Sequence, residues 1–540
     1  MEYIRKWWLR KLLGNPNQHS QTANLNGQKK KILHNQLEAN VDWIVRKFGN
    51  STDLVVRKFE IGERETQHAA ILYIDGISDS KSVLESFLKL LNEHTYLQIL
   101  NTPFDVEKFM NRLVVPVGSV KKESDLDLLL TAIVSGDTVI LFQGLEQAFV
   151  ASTRQWKERS IEEPISEPVV RGPRDGFTET LRTNTSLLRK RIKNPNLWME
   201  TLQIGRATKT DVAIMYIRDI ANPKIVDEVL NRLKAIDIDS ILESGYIQEM
   251  ITDRTITVFP LIYNSERPDV ISAEILEGRV AILVDGTPTA LIAPAVFVQF
   301  LQASEDYYQN WDFATFIRMV RYGSLGITLL APALYIAITN YHQEILPPKL
   351  LLSLAAAREG VPFPAFIEAT MMELIFELLR EASVRMPRTV GSAISIVGTL
   401  VIGQSAVQAG LVSPAMVIIV SLTAISNFAI PSYSMSTSFR MLRFFIMWLA
   451  ASLGIFGILL GLFIIVFHLC SLQSFGLPYM SAFAPFHIKD QKDVILRVPR
   501  WLMVTRPHFN KNRNYIRVDS NMEAAKANKK SSMKNEQDPK

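Results

Sequence analysis

The stretch VAIMYIRDIANPKIVDEVLNRLK, residues 212–234, opens with β-branched and aromatic side chains that end in Tyr-Ile. A polar turn follows, and then an apolar pattern with helical spacing, so the stretch predicts a strand, a turn and a helix. The stretch AAILYIDGISDSKSVLESFLKLL, residues 69–91, repeats the same order of features. The chain therefore presents one strand–turn–helix pattern twice.

A second pair of stretches follows in the same order. GDTVILFQGLEQAFVAS (136–152) and GRVAILVDGTPTALIAP (278–294) each have two apolar runs around a turn that contains glycine, which is typical of a β-hairpin. Two matched pairs predict tandem, related α/β subdomains. We expect the subdomains at 36–160 and 200–293, after a basic N-terminal tail at 1–35.

The segment 161–199 between the subdomains is rich in proline, glycine and charge, and is predicted to be a connector that ends in a basic helix. Arg171, Gly172 and Gly176 within it could suggest a phosphate site. The chain has neither G-x-x-x-x-G-K-[ST] nor a G-x-G-x-x-G after a strand, which argues against nucleotide binding. The arginines of the helix are expected to pair with nearby acids or with another subunit.

Charge is distributed unevenly along the 540 residues, of which 21% are charged. No Asp, Glu, Lys or Arg occurs between Thr389 and Phe439 or between Phe444 and Ile488, and runs of this kind indicate membrane spans. The sequence therefore predicts an α-helical membrane domain at 322–470. Its spans are expected near 322–341, 390–409, 412–430 and 444–470, with an interfacial segment at 294–321 and a basic cytoplasmic tail at 471–540.

One segment at 350–388 does not fit a simple span, because its stretch GVPFPAFIEATMMELIFELLREASVRMPR (360–388) carries several carboxylates. Glu373 and Glu377 lie one helical turn apart and share a face, with Glu368 earlier on the same helix. The segment is predicted to be amphipathic or re-entrant. Its acidic face either lies at the membrane interface or borders an aqueous path that selects cations or couples ions.

Polar side chains inside spans need partners in lipid. Gln404 and Gln408 lie one turn apart in one predicted span, and Asn427 lies near the end of the next. Either the helices hydrogen-bond to each other through these groups or the groups line a wet path. Gly457 and Gly461 form a G-x-x-x-G pair that predicts close helix packing, within or between protomers.

Several function classes find no support in the sequence. The chain shows no nucleophile–base pair and no metal-ligand spacing, so neither an enzyme nor a cofactor is predicted. The net charge of +5 is too small to suggest a nucleic-acid partner. The lysines and arginines of both tails predict that both ends are cytoplasmic and face anionic lipid.

The combination resembles the A subunit of GerA-type spore germinant receptors. The resemblance rests on EEPISEPVVRGPRDGFTETLRTN, GRVAILVDGTP, REGVPFPAFIEATMMELIFELLREASVRMPR, SIVGTLVIGQSAVQAGLVSPAMVIIV and AIPSYSMSTSFRMLRF, and it covers roughly residues 36–500. It implies a homo-oligomeric membrane protein of the spore inner membrane. It also implies B and C subunits as partners and a role in releasing monovalent cations.

Within that resemblance, the candidate ion-path or gating residues are Glu368, Glu373, Glu377, Gln404, Gln408 and Asn427. Three alternatives stay open: an auxiliary relative linked to dipicolinate release, a secondary transporter, and a scaffold beside another conducting subunit. Topology also stays open. Four spans place Arg385, Arg388, Arg440 and Arg443 outside, against the positive-inside trend. A crossing at 362–380 corrects this but places the C-terminal tail outside.

Overall fold

The computed structural model describes residues 31–61, 67–79, 85, 119–154, 163–164, 167–385, 403–486, 490–507, 514 and 516–517. The described chain forms two α/β units followed by a helical layer. The N-terminal tail up to residue 30 and the predicted helix after residue 79 lie outside this range, apart from residue 85.

The first unit is a five-stranded antiparallel sheet in the order β1-β2-β4-β5-β3. Two helices of its described part belong to it. Its elements are β1 (Leu54–Ile61), β2 (Gln67–Ile74), β3 (Val120–Glu123), β4 (Thr138–Phe142), β5 (Ala148–Ala151), α1 (Leu37–Lys47) and α2 (Leu126–Val134). All five residues of β4 are buried, as expected of a central strand covered on both faces.

The second unit has a five-stranded sheet in the matching order β6-β7-β9-β10-β8. Its elements are β6 (Leu197–Ile204), β7 (Thr210–Ile217), β8 (Tyr263–Ser265), β9 (Val280–Val284), β10 (Ala290–Ala293), α3 (Leu181–Arg191), α4 (Pro223–Lys234), α5 (Ser244–Ile251) and α6 (Pro268–Leu276). Both predicted hairpins, β4–β5 and β9–β10, are present. The prediction of tandem related units is therefore confirmed.

The repeat extends to single hydrogen bonds. The Leu37 backbone N–H at the start of α1 donates to Gln143 Oε1 over 2.8 Å. At the equivalent place in the second unit, the Leu181 N–H at the start of α3 donates to Asp285 Oδ1 over 2.9 Å. In each unit, the turn after the fourth strand thus supplies a partner for a free N–H at a helix start.

The structure differs from the predicted connector, residues 161–199, in the C-terminal part of that segment. Leu187 and Leu188 of α3 are buried in the core of the second unit, so this helix belongs to that unit. Arg189 points the other way, and its Nε and Nη2 donate to the two Asp53 carboxylate oxygens over 2.8 and 2.9 Å. A buried ion pair therefore joins the two units, as expected for arginines that pair with nearby acids.

The helical layer contains α7 (Trp311–Asn340), α8 (Pro348–Arg358), α9 (Ala365–Arg385), α10 (Gly403–Gln408), α11 (Pro414–Phe428) and α12 (Tyr433–Ser471). Ser413 and Ser432 begin α11 and α12, and each side chain accepts a backbone N–H of the first turn. Of the predicted span at 390–409, residues 390–402 lie outside the described range.

The helix α12 reverses direction inside its length, at Gly454, whose backbone angles are φ 61° and ψ −140°. Phe439 and His468, on opposite sides of Gly454, both lie about 6 Å from the Phe259 ring. The two arms, 433–453 and 455–471, are therefore antiparallel neighbours. The single span predicted at 444–470 was wrong, because an apolar run has the same composition whether it continues or folds back.

The layer has two ends, which we name by their distance from the second unit. At the near end, Ser438 and His468 contact Val258 and Thr257 of the second unit. At the far end, the Tyr341 hydroxyl donates to the carbonyl oxygen of Ala451 over 2.6 Å. The end of α7 thus satisfies a carbonyl that the reversal of α12 leaves free.

The first part of the predicted interfacial segment 294–321 is not a surface helix. Two short 3₁₀ turns at Phe297–Leu301 and Ser304–Tyr307 precede α7. Phe297 and Phe300 are buried against Tyr479, so this first part faces the core. At the start of α7, by contrast, Trp311, Phe313 and Phe316 are exposed, as expected of an interfacial segment.

The predicted tail 471–540 folds back onto the protein over much of its described part. The short strands β11 (Gln473–Ser474) and β12 (Leu477–Pro478) pair with each other. Phe475 and Leu477 are buried in the core of the second unit. Apolar side chains within the tail explain the difference, because burial removes them from water.

Candidate functional site

The carboxylates predicted on α9 point toward neighbouring helices of the same chain. The glutamate Glu373 forms an ion pair with Arg443 of α12, with 2.7 Å between Oε2 and Nη2, and both side chains are 1% exposed. Two opposite charges in close contact, shielded from water, compensate much of each other's desolvation.

Glu377, one turn later, gathers three guanidinium groups. Its Oε2 accepts from Arg440 Nη1 over 2.8 Å and lies 3.1 Å from Arg380 Nη2. Its Oε1 lies 3.6 Å from Arg443 Nη2. We call Glu373, Glu377, Arg380, Arg440 and Arg443 the acid–arginine cluster, and it contains more positive than negative groups.

Glu368 lies closer to the far end and is fully buried. Its Oε1 accepts from both the backbone N–H and the hydroxyl of Ser413, each over 2.6 Å. Because Ser413 is the N-cap of α11, the carboxylate lies at the positive end of that helix dipole. Arg358 Nε is 4.0 Å from the other carboxylate oxygen.

The acidic face is therefore paired inside the protomer rather than exposed. The exposed stripe of α9 carries apolar Ile367, Leu374 and Leu378, followed by Glu381 and Arg385. Sequence spacing identified the shared face of the carboxylates but not their partners on α12. A signal was present: Arg440 and Arg443 are the only charges between Thr389 and Ile488, and buried charges require partners.

The predicted amide residues separate into two environments. Asn427 is buried, and its Oδ1 accepts from the Ser436 hydroxyl of α12 over 2.9 Å. Asn427 thus forms a hydrogen bond between two helices, and its partner helix is α12, which follows α11 in the chain. Gln404 and Gln408 of α10 are exposed in the single chain. The structure does not bring them to the acid–arginine cluster.

The two predicted packing glycines lie where the arms of α12 touch. A Cβ added at Gly457 would lie 2.1 Å from the Leu449 carbonyl oxygen, and one at Gly461 would lie 2.4 Å from Ile446 Cδ1. Both glycines thus face the other arm of their own helix, which is packing within the protomer.

A polar group that the sequence analysis missed lies at the near end, where α7 begins. Arg318 Nε and Arg321 Nη1 both donate to Asp306 Oδ2 over 2.8 Å, and Arg318 Nη1 also donates to Asp493 Oδ1 over 2.9 Å. Burial raises the pKa of Asp493, which Arg318 and Tyr307 oppose. This network ties α7 to the C-terminal segment.

Among the described residues, no group of three or more His, Cys, Asp or Glu side chains could hold a metal ion. Two described helices, α7 and α12, are long and apolar enough to cross a membrane. Large exposed apolar side chains, among them Phe456, Phe463 and Phe467, cover the second arm of α12. Such a surface is typical of contact with lipid or with another protein.

Comparison with known proteins gives consistent matches over most of the chain. The family profile described as Bacillus/Clostridium GerA spore germination protein matches residues 42–509. Spore germination protein KA of Bacillus subtilis (strain 168) is 48% identical over 486 residues, which are 90% of this chain and 89% of that protein. Spore germination protein GerLA of Bacillus cereus is 39% identical over 478 residues, 88% of this chain and 96% of that one.

Among solved structures, the N-terminal domain of the A subunit of the Bacillus megaterium spore germinant receptor GerK3 is similar to the first half of the chain. It is 42% identical and covers 51% of this chain and 100% of its own, with a TM-score of 0.42. The family profile and the two relatives confirm the resemblance stated from the sequence motifs. The chain belongs to the Bacillus/Clostridium GerA family of spore germination proteins, the family of germinant-receptor A subunits.

Proposed function

We propose that this chain is the membrane subunit of a nutrient germinant receptor and, as a homo-oligomer, its cation-conducting component. The observation that carries the proposal is the exposure of Gln404 and Gln408 in a helical layer whose neighbouring helix α11 exposes large apolar side chains. Amide groups at membrane depth need hydrogen-bond partners. A second copy of the chain, or a water-filled path between copies, supplies them.

The direction of the helices supports membrane insertion with both termini in the spore core. α7 runs from the near end to the far end, and α9 returns, because Glu368 lies near the far end and Glu377 contacts Arg440 near the second unit. Arg385 and Arg440 then lie on the side of the α/β units, in line with the positive-inside trend. The reversal of α12 returns the C-terminal segment to that side.

The receptor's B and C subunits are the partners in this proposal, and the inner membrane of the spore is its location. The exposed apolar side chains of α11 and α12 offer surfaces both for lipid and for these subunits. The neutral, exposed amides of α10, rather than the paired carboxylates, are then the side chains nearest the ions.

The test is potassium release from liposomes that contain the full chain with its B and C partners. Gln404→Leu with Gln408→Leu removes the amides, and Gln404→Glu with Gln408→Glu adds charge at the same places. We expect slower release from the first variant and greater selectivity for cations in the second. Gln203→Leu, at an exposed position in the second unit, is the matched control.

Unchanged release and selectivity in both double variants, with wild-type assembly, would remove α10 from the ion path. The pairing of Glu373 and Glu377 within the protomer favours a second candidate, a scaffold beside another conducting subunit. A swap of Glu373→Arg with Arg443→Glu keeps the ion pair but reverses its direction. Altered selectivity in the swap supports an ion path at the acid–arginine cluster, and unchanged selectivity supports a packing role there.

A further inference from the structure

A cavity of about 150 Å³ lies where the second unit, the segment before α7 and the C-terminal segment meet. Its walls include Ala273 of α6, Val298 and Gln299 of the first 3₁₀ turn, and Val494 of the C-terminal segment. About 150 Å³ is enough for a molecule of benzene's size. The cavity is therefore large enough for a small organic ligand.

The charged groups in the cavity wall have partners within the protein. Glu274 pairs with Arg279 at 2.7 Å, Asp269 accepts from the Tyr308 hydroxyl over 2.5 Å, and Glu277 pairs with Arg517. Asp493 binds the Tyr307 hydroxyl over 2.8 Å as well as Arg318. A charged ligand would disturb these pairs or leave its own charge unmatched. A neutral ligand avoids both penalties.

One polar group in the wall is left over. Gln299 is 3% exposed, and neither its Oε1 nor its Nε2 makes a hydrogen bond of normal geometry to the described part of the chain. One N–H of this amide faces the neighbouring Glu274 carboxylate: burial raises the pKa of Glu274, and Arg279 and the Gln299 amide oppose that rise. The amide has a second N–H besides its Oε1, and these two groups are the ones that a ligand can bind. A buried amide with unmade hydrogen bonds is destabilised relative to a fully satisfied one.

A side-chain amide presents one donor and one acceptor side by side in a plane. The group that satisfies both at once has an acceptor and an N–H donor in the same arrangement, which is a carboxamide. The remaining wall is largely apolar, with Val270, Val296 and Ala303 beside the residues named above. It suits a short hydrocarbon part on such a ligand.

We propose that this cavity is a binding site for a small neutral carboxamide, which Gln299 recognises through paired hydrogen bonds. The site is separate from the ion path proposed above and does not depend on it. Its wall is connected to the membrane helices, because Asp493 accepts hydrogen bonds both from Tyr307 and from Arg318 of α7. Ligand binding in the cavity would therefore affect the position of α7.

The experiment uses the full chain in detergent micelles and two probes of equal shape, isobutyramide and 3-methyl-2-butanone. The ketone carries a methyl group in place of the amide nitrogen, so it cannot donate to Gln299 Oε1. Affinity is measured by saturation-transfer NMR titration. We expect saturable binding of isobutyramide, at least about tenfold tighter than binding of the ketone.

Gln299→Leu removes the amide at similar volume, and Ala273→Leu fills the cavity from α6. We expect both to abolish isobutyramide binding, whereas Gln203→Leu retains it. The ketone comparison on the wild type needs no variant, so it tests the proposal even if Gln299→Leu does not fold. Absent binding, equal binding of the two probes, or undiminished binding to folded Gln299→Leu would each overturn the proposal.

Discussion

Glu373 on α9 and Arg443 on α12 form an ion pair of 2.7 Å in which each side chain is 1% exposed. The other charges of these two helices in the acid–arginine cluster are Glu377, Arg380 and Arg440. The carboxylates of α9 can be buried beside α12 because Arg440 and Arg443 supply their counter-charges. The packing of α9 against α12 therefore depends on the acid–arginine cluster.

The pair can be tested by removing one partner. Arg443→Met leaves the Glu373 carboxylate buried without its close counter-charge, and we expect it to lower the free energy of unfolding by about 3–5 kcal/mol. Adding Glu373→Leu should restore most of that loss. The measurement is chemical unfolding of the purified chain in detergent micelles.

The control for this test is Arg385→Met, which breaks the exposed pair with Glu381, whose side chains are 78% and 62% exposed. We expect its free energy of unfolding to change by less than about 1 kcal/mol. An Arg443→Met variant as stable as Arg385→Met would contradict the buried pairing of α9 with α12.

The reversal of α12 makes Gly457 intolerant of a side chain. In Gly457→Ala the new Cβ would lie 2.1 Å from the Leu449 carbonyl oxygen, so the arms must separate. We expect a loss of about 1–3 kcal/mol in the free energy of unfolding, the usual range for overpacking. Gly323→Ala on α7, where nothing lies within 4 Å, should instead gain about 0.5–1 kcal/mol from helix propensity. Equal behaviour of the two variants would argue for a straight α12.

The junction of the α/β units depends on Asp53 and Arg189, whose side chains are 5% and 1% exposed. Arg189→Met leaves the Asp53 carboxylate buried without its counter-charge, so we expect the free energy of unfolding to fall by about 3–5 kcal/mol. The measurement is thermal unfolding of the full chain. Lys58→Met breaks the exposed pair with Glu38 and should change stability by less than about 1 kcal/mol. A loss no larger than that of Lys58→Met would show that the units are held together by other contacts.

Glu167 gives the second unit a pH dependence. Burial raises its pKa from the ordinary value to about 7, against the hydrogen bond from Ser265. The folded state therefore binds the proton more tightly than the unfolded state. The contribution of protonated Glu167 to the free energy of unfolding is fully present below about pH 4.5 and is lost as the pH rises through about 7.

Glu167→Gln keeps an acceptor for Ser265 but cannot ionise. We expect the variant to lose stability less steeply than the wild type between pH 5 and 8, and to be more stable at pH 8 by about 1–2 kcal/mol. The measurement is the unfolding midpoint at each pH. Parallel pH profiles for variant and wild type would rule out Glu167 as the titrating group.

The sequence by itself determined the parts that depend on local patterns. Apolar runs around glycine turns predict both hairpins, and their recurrence predicts the tandem units. Apolar runs and turn chemistry act over a few residues, so they can be read without knowing the neighbours. The charge-free runs likewise predicted the helical layer, since hydropathy depends on composition.

The tertiary structure alone decided which groups meet. The partners of Glu373 and Glu377 on α12 lie more than sixty positions away along the chain. The helix α3 joins the second unit through side chains whose pattern fits any amphipathic helix. The run around Gly454 has the same composition as a straight span. It reverses because Gly457 and Gly461 allow the arms to touch and Tyr341 satisfies the freed carbonyl. Close packing and buried charge are properties of the assembled chain, so no local pattern encodes them.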